Sequence, residues 1–421
     1  MKKFIRIPLA MALAGAMLCS CGEKQQVVHT KTEKTEITFS WWGNDYRNEY
    51  TMSAIEKFEE LHPDIHVKCS YSEWTGFEER NRIRMLSGTE EDVMQINIGW
   101  LDEYSSDGNG YFDLEMLKDH IDLSGFDDNM LDYGRKNGVL NALPIAMNAE
   151  TVYINKSIYD KYGLDVPDTW DDLYKAAEKM RADGVYPLAG SKKSMWLYSI
   201  AYAEQTCQKS IMDYNGHIRF NVNELMVMID FYVGLVVGNV VPKVEDFNKL
   251  NIDNGVYAGT VGWISDAMNY YGKAIDNGSE ITVAPYTAWM PEKAGSGWFA
   301  KPATLYAISR NTEHPQEAAM LMDFLLNSSD MADYQGLDKG VPISTHARNY
   351  LDSKGMLKGL QYDAAVQMEN NYIISRMDPQ LENEEMIESF IEASNLVIYD
   401  KNTVAEAALR LFKIYNNMYY G

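Results

Sequence analysis

Two strands and two helix starts are written into one stretch, Ala142 to Leu173 (ALPIAMNAETVYINKSIYDKYGLDVPDTWDDL), which limits the fold more than any other segment. A short strand ends at Pro144, Asn148 and Glu150 read as a polar break, and a second strand runs from Val152 to Asn155. The helix from Lys156 to Tyr162 stops at Gly163, a residue suited to the left-handed turn that ends helices. The next helix opens at Pro167, Asp168 and Thr169, and Asp172 stands three residues after Thr169, as in a capping box with a shortened acid. Such a segment leaves one packed unit and starts another.

The chain before this crossing alternates its periods. Ile37 to Trp42 reads as a strand stopped by Gly43, and Met52, Ile55, Phe58 and Leu61 then recur at helical spacing up to Pro63. Ile65, Val67, Cys69 and Tyr71 alternate as a second strand, Phe77 to Leu86 forms a helix closed by Gly88, and Asp92 to Ile98 is a third strand. A β-α-β-α-β order predicts parallel pairing with helices on the sheet faces, and ligands of such sheets sit at the carboxyl ends of the strands. Those ends carry Trp42, Asn44 and Asp45, then Glu73 and Trp74, then Trp100 and Asp102.

Beyond the crossing, helices are expected over Trp170–Ala182 and Glu224–Val237, strands over Val185–Ala189 and Thr260–Ile264, and a further element over Trp196–Gln205. Ile281 to Tyr286 is expected to return to the first unit, followed by a Gly-rich aromatic loop to Phe299 and a strand over Leu305–Ser309. Helices over Glu384–Val397 and Thr403–Tyr415 finish the chain.

Several of these passages together resemble one family. Tyr153-Ile154-Asn155-Lys156, the run from Pro167 to Leu173, the strand-to-helix passage from Ser309 to Ala319, Gly340-Val341-Pro342-Ile343 and Asn402 to Ala408 occur in the order found in extracellular solute-binding proteins of sugar ABC importers, the maltose-binding-protein-like family 1 type. Gly259 to Trp263 departs from that pattern, placing Val261-Gly262-Trp263 where Ala-Ala-Met is usual. The resemblance implies an α/β, two-lobe, periplasmic-binding-protein-like fold, each lobe a mixed, mostly parallel sheet flanked by helices and joined by hinge strands. It divides the chain into residues 35–145 plus 286–340 and residues 146–285 plus 341–421. It further implies a monomer that captures a sugar between its lobes and delivers it to the transmembrane subunits of an ABC permease, with no cofactor and no covalent chemistry.

The amino terminus is expected to be a lipoprotein signal over residues 1–20: Lys2, Lys3 and Arg6, then an apolar run from Ile7 to Leu18 too short to remain as a membrane span. Leu18-Cys19-Ser20-Cys21 resembles a lipobox with Cys21 as the lipid-bearing residue, and the polar residues from Gly22 to Thr35 read as a flexible tether from the membrane. The chain carries a formal charge of −23, and losing three basic and no acidic residues with the leader takes it to −26. That balance argues against nucleic acid as a partner. Cys69 and Cys207, far apart in sequence, are expected as two buried thiols, with a single bridge between them as the lesser alternative.

No G-x-S-x-G, S-x-x-K, H-E-x-x-H or phosphate-loop motif is present. Asp107-Gly108-Asn109-Gly110 begins like a calcium loop but loses register, and His62 and His66 are separated by Pro63, so no metal is assigned. Gly295-x-Gly297-x-x-Ala300 imitates a dinucleotide fingerprint, but no βαβ unit surrounds it and Pro302 blocks the helix. A sugar ring offers C–H faces to indole and hydroxyls to carboxylates, amides and Arg. The candidate ligand residues are therefore Trp42, Asn44, Asp45, Glu73, Trp74, Trp100, Asp102, Asn148, Trp196, Trp263, Asp266, Trp298 and Arg376. For the tryptophans spacing alone leaves ligand contact and packing equally open. A binder of a polyamine, peptide or chelated metal, and a glycan-acting surface enzyme with a carboxylate pair, stay open as alternatives.

Overall fold

A computed structural model of the chain describes residues 34–213, 216–371 and 373–420. The expected leader, Cys21 and most of the expected tether lie outside the described residues. An eight-stranded mixed sheet forms the frame. Its strands are β1 (Thr35–Trp42), β2 (Ile65–Ser72), β3 (Val93–Ile96) and β4 (Ala142–Asn155). They are followed by β5 (Gly259–Trp263), β6 (Ile281–Ala284), β7 (Phe299–Ile308) and β8 (Ser375–Arg376). Across the sheet the order is β2-β1-β3-β7-β4-β5, with β6 also against β4 and β8 against β7. β1 runs parallel to β2 and β3, as the alternating strand and helix pattern requires, while β7 lies antiparallel to both β3 and β4.

Strand alternation sorts the first tryptophan pair. Ile37, Phe39 and Trp41 point into a core with Phe58 of the helix Asp45–Leu61 and Leu325 of the helix Pro315–Asn327. Trp42 turns to the other face and packs beside Phe77 and Trp100.

β4 corrects the expected break at Asn148 and Glu150: it is one strand of 14 residues, buried throughout. Both of its edges are occupied where polarity suggested an interruption. Asn148 pairs with Lys301 of β7, Glu150 pairs with Trp263 of β5, and the Asn148 carboxamide donates to Ser265 Oγ at 3.1 Å. The backbone at both positions is thus paired within the sheet, and the Asn148 side chain is satisfied by Ser265. The irregularity appears instead as register shifts around Ala146, just after Pro144, which has no amide hydrogen to give a ladder.

The distal half of β4 runs between β5 and β6, with Val152 facing Val261 on one side and Ala284 on the other. β6 therefore stays with the second group of strands and does not return to the first. The return is made by β7, whose Ala300 and Lys301 pair with β4 and whose Leu305 to Ile308 pair with β3. Tyr286 and Trp298, expected with the first unit, pack in a second core with Trp170, Ile229 and Phe390, their own rings 4.9 Å apart. A third cluster around Tyr153, Tyr271 and Met368 covers the other face of the β4–β5 region.

Among local expectations, the Thr169 capping box is present: Thr169 Oγ1 lies 2.6 Å from Asp172 Oδ2, and each side chain accepts the other residue's amide. Burial opposes ionisation of Asp172, yet hydrogen bonds from Lys175 and Thr169 hold it at about 2. Val185–Ala189 is not a strand; Tyr186 and Gly190 make only single bridges, to Tyr257 and Val261. The helices Thr345–Ser353 and Leu360–Glu369 were not expected, whereas Glu384–Ile398 and Val404–Tyr420 fall where periodicity placed them. Cys69 and Cys207 are free thiols, but half-buried and not buried as expected.

Candidate functional site

A cleft of about 1720 Å³ opens between the strand-end loops of the first group and the segment from Ser375 to Glu384. Ordinary small-molecule sites occupy ~300–1,000 Å³, so this volume admits a ligand of several rings. One wall carries Trp74, Asn97, Trp100, Asp102 and the hairpin residues Arg135 to Asn137; the other carries Lys193, Asp213, Asp378 and Glu382, and Arg376 reaches from beside Asp378 to Tyr133 and Asp132 next to the hairpin.

Three tryptophans from three strand ends meet on the first wall. Trp42 contacts Trp74 at 4.9 Å and Trp100 at 5.9 Å, both edge to face. Trp74 and Trp100 are 5.9 Å apart and nearly parallel, at 14°. A kink at Thr75 and Gly76, which has φ +83°, turns Trp74 outward from the start of its helix, leaving it 40 % exposed while Phe77 goes into the core. An outward indole backed by two others is a rigid apolar platform.

The opposite wall is ionic. Glu382 bonds Lys301 at 2.5 Å and also pairs with Lys193, and both ammonium groups lie over the Trp263 ring, at 5.0 and 5.2 Å. Burial opposes ionisation of Glu382, but Lys301 and Lys193 hold its carboxyl below the usual range. Burial also lowers Lys301, helped by repulsion from Lys193. Beneath them Glu150 is fully buried, and neither of its oxygens has a hydrogen-bond partner among the described residues. Burial raises its carboxyl well above the ordinary value, against the pull of Lys193. Asp378 is raised by burial and by its neighbours Asp102 and Asp213.

Of the thirteen residues singled out from sequence, Trp74, Trp100, Asp102 and Arg376 line the cleft. Asp102 pairs with Lys136 there. Trp42 supports them from behind. Two assignments are corrected: Trp196 and Trp298 are wholly buried in the second core. Their indole N–H groups donate to Leu381 O at 3.2 Å and Thr287 O at 3.4 Å, so both rings are packing residues. Trp263 lies under the Lys193–Lys301 layer and not on the cleft wall. Asn44 caps its helix through Arg47 N, Asp266 accepts from Trp263 N, and Asn148 Oδ1 accepts from Ser265 N, so these three hold backbone. Asp45 and Glu73 are exposed at helix starts away from the wall.

Sequence reasoning missed Arg135 to Asn137, Lys193, Asp213 and the run from Asp378 to Glu384. The turn signal Lys136-Asn137-Gly138 marks the first group, where Asn137 and Gly138 both have positive φ. The others carry no local signature.

The model of the bacterial extracellular solute-binding protein family matches residues 44–332. A periplasmic oligogalacturonide binding protein from Yersinia enterocolitica, in complex with saturated digalacturonic acid, is 30 % identical with a TM-score of 0.80 over 91 % of this chain and 98 % of that one. A de novo designed cysteine esterase gives a TM-score of 0.83 at 29 % identity over 92 % of this chain and 98 % of its own. The multiple sugar-binding protein of Streptococcus mutans is 26 % identical over 187 residues, 44 % of this chain and 43 % of that protein. The first curated relatives are matched over only 39–56 % of their own length. With more than half of its residues inside the family match and the α/β frame shared, the chain belongs to the bacterial extracellular solute-binding proteins.

Proposed function

We propose that this protein is the substrate-binding component of an ABC importer, capturing an oligosaccharide in the cleft and handing it to a membrane permease. The carrying observation is the pairing of one outward tryptophan, Trp74, on a wall of indoles with a facing wall of carboxylates and cations. Relatives named for multiple sugars, melibiose, raffinose and stachyose, arabinooligosaccharides and oligogalacturonides support the carbohydrate reading. Two lobes are assigned, meeting along β4 and β7, with the chain divided near residues 145, 286 and 340 except that Tyr286 to Trp298 packs with the second lobe. In this reading the ligand favours the closed arrangement because only there does it touch both walls. No bond is made or broken in the ligand. The protein acts outside the cytoplasm as a monomer, held to the membrane through a lipid on Cys21.

A thermal-shift series with mono- and oligosaccharides, polyamines and amino acids tests this. A ligand that binds only the folded state raises the melting temperature by mass action. The reading expects a selective shift with one oligosaccharide series and no consumption of the sugar. Shifts confined to polyamines, or loss of the sugar with time, contradict it.

A further inference from the structure

Arg376 is, among the described residues, the cleft-lining cation without a carboxylate in ion-pair contact. Arg135 pairs with Glu115 and Asp132, Lys136 with Asp102, and Lys193 with Glu382 and so with the Lys301 layer. Arg376 instead lies over the Tyr133 ring at 4.5 Å and donates one terminal nitrogen to the Asp132 carbonyl at 3.2 Å. β8 fixes the backbone beneath it by pairing Arg376 with Ala300 of β7. The ring contact and this one bond to a backbone carbonyl are the guanidinium's partners among the described residues, and Arg376 lines the cleft with its other donors unengaged. A planar fork with free donors matches a carboxylate in bidentate fashion, which a lysine does not reproduce.

The rest of the cleft limits where an anion fits. Burial raises the Asp378 carboxyl and the nearby carboxylates Asp102 and Asp213 raise it further, so a ligand carboxylate beside Asp378 is repelled. Those groups suit hydroxyls, which donate to carboxylates. Resting on the oligosaccharide reading, we infer that the ligand carries an acidic sugar unit, of uronate type, whose carboxylate binds Arg376 while its other rings lie along Trp74 and the acidic rim.

Calorimetric titration of the purified protein with uronate oligosaccharides, their methyl esters and neutral oligosaccharides of equal length tests this. The wild type should bind the free acids at least about ten-fold more tightly than the esters. Arg376→Gln should remove that preference with an unchanged melting temperature, and Arg376→Lys should restore it only in part. Equal binding of acid and ester, or an Arg376→Gln protein that still prefers the acid, overturns the inference. Binding of the neutral series alone also overturns it but leaves the oligosaccharide reading standing. Failure of every carbohydrate overturns both.

Discussion

Trp74 and Trp100 lie 5.9 Å apart with rings 14° from parallel, yet Trp100 is 3 % exposed and Trp74 40 %. The inner ring is fixed by packing against Phe77 and Trp42, and the outer ring keeps one face open to the cleft. Trp74→Ala should therefore weaken oligosaccharide binding by about 10- to 100-fold with little loss of stability. Trp100→Ala removes a core ring and should cost about 3–5 kcal/mol in urea unfolding. Equal destabilisation by the two substitutions would contradict this division of roles.

Glu204 gives a pH dependence with a definite sign. Burial raises its carboxyl to about 7, although Ile211 N and Ser210 Oγ bond one of its oxygens at 2.7 and 3.2 Å. The folded state then binds a proton that the unfolded chain releases near pH ~4.3. Stability from this group is full below that pH and is lost as pH rises toward 7, by at most about 4 kcal/mol. Melting curves of Glu204→Gln and wild type should diverge between these limits, the variant becoming relatively more stable as pH rises. Parallel curves would refute the assignment.

Glu382 has the opposite sign. Its carboxyl is held below the usual range by Lys301 and Lys193 in spite of burial, so its stabilisation is present at neutral pH and fades as pH falls through the lowered value. Glu382→Gln leaves two ammonium groups sharing the Trp263 face without a counter-charge. A loss of about 1–3 kcal/mol at pH 7, shrinking in acid, is expected from denaturant titrations at several pH values.

Gly340 lies where β4 is shifted in register. It has φ +112°, and an added Cβ would sit 2.6 Å from Ala146 Cβ. Gly340→Ala combines a disfavoured backbone with a clash against the buried crossing strand, and should cost about 2–4 kcal/mol in urea unfolding. A neutral effect would mean that this contact yields freely.

Much of the fold was legible because it rests on local signals. The Thr169–Asp172 box, the period-2 run from Ile65 to Tyr71 and the helical spacing from Met52 to Leu61 each announce themselves within a few residues. The three tryptophan loops were legible for a topological reason: parallel strands bring their carboxyl ends to one edge. What failed depended on partners distant in sequence. Asn148 and Glu150 read as a break because their pairing strands, β7 and β5, lie more than a hundred residues away. Trp196 and Trp298 carry the same residue type as Trp74, and only Phe390, Tyr198 and Tyr286 around them make them core. Lys193 and Glu382 meet across a separation that no spacing encodes.

The most direct measurement is small-angle scattering of the purified protein during titration with the tightest-binding oligosaccharide. Capture between two walls predicts a radius of gyration that falls and saturates at one ligand per chain, with the change abolished by Trp74→Ala at the same ligand concentration. A saturated protein of unchanged radius, or the absence of binding by any oligosaccharide, would contradict the account.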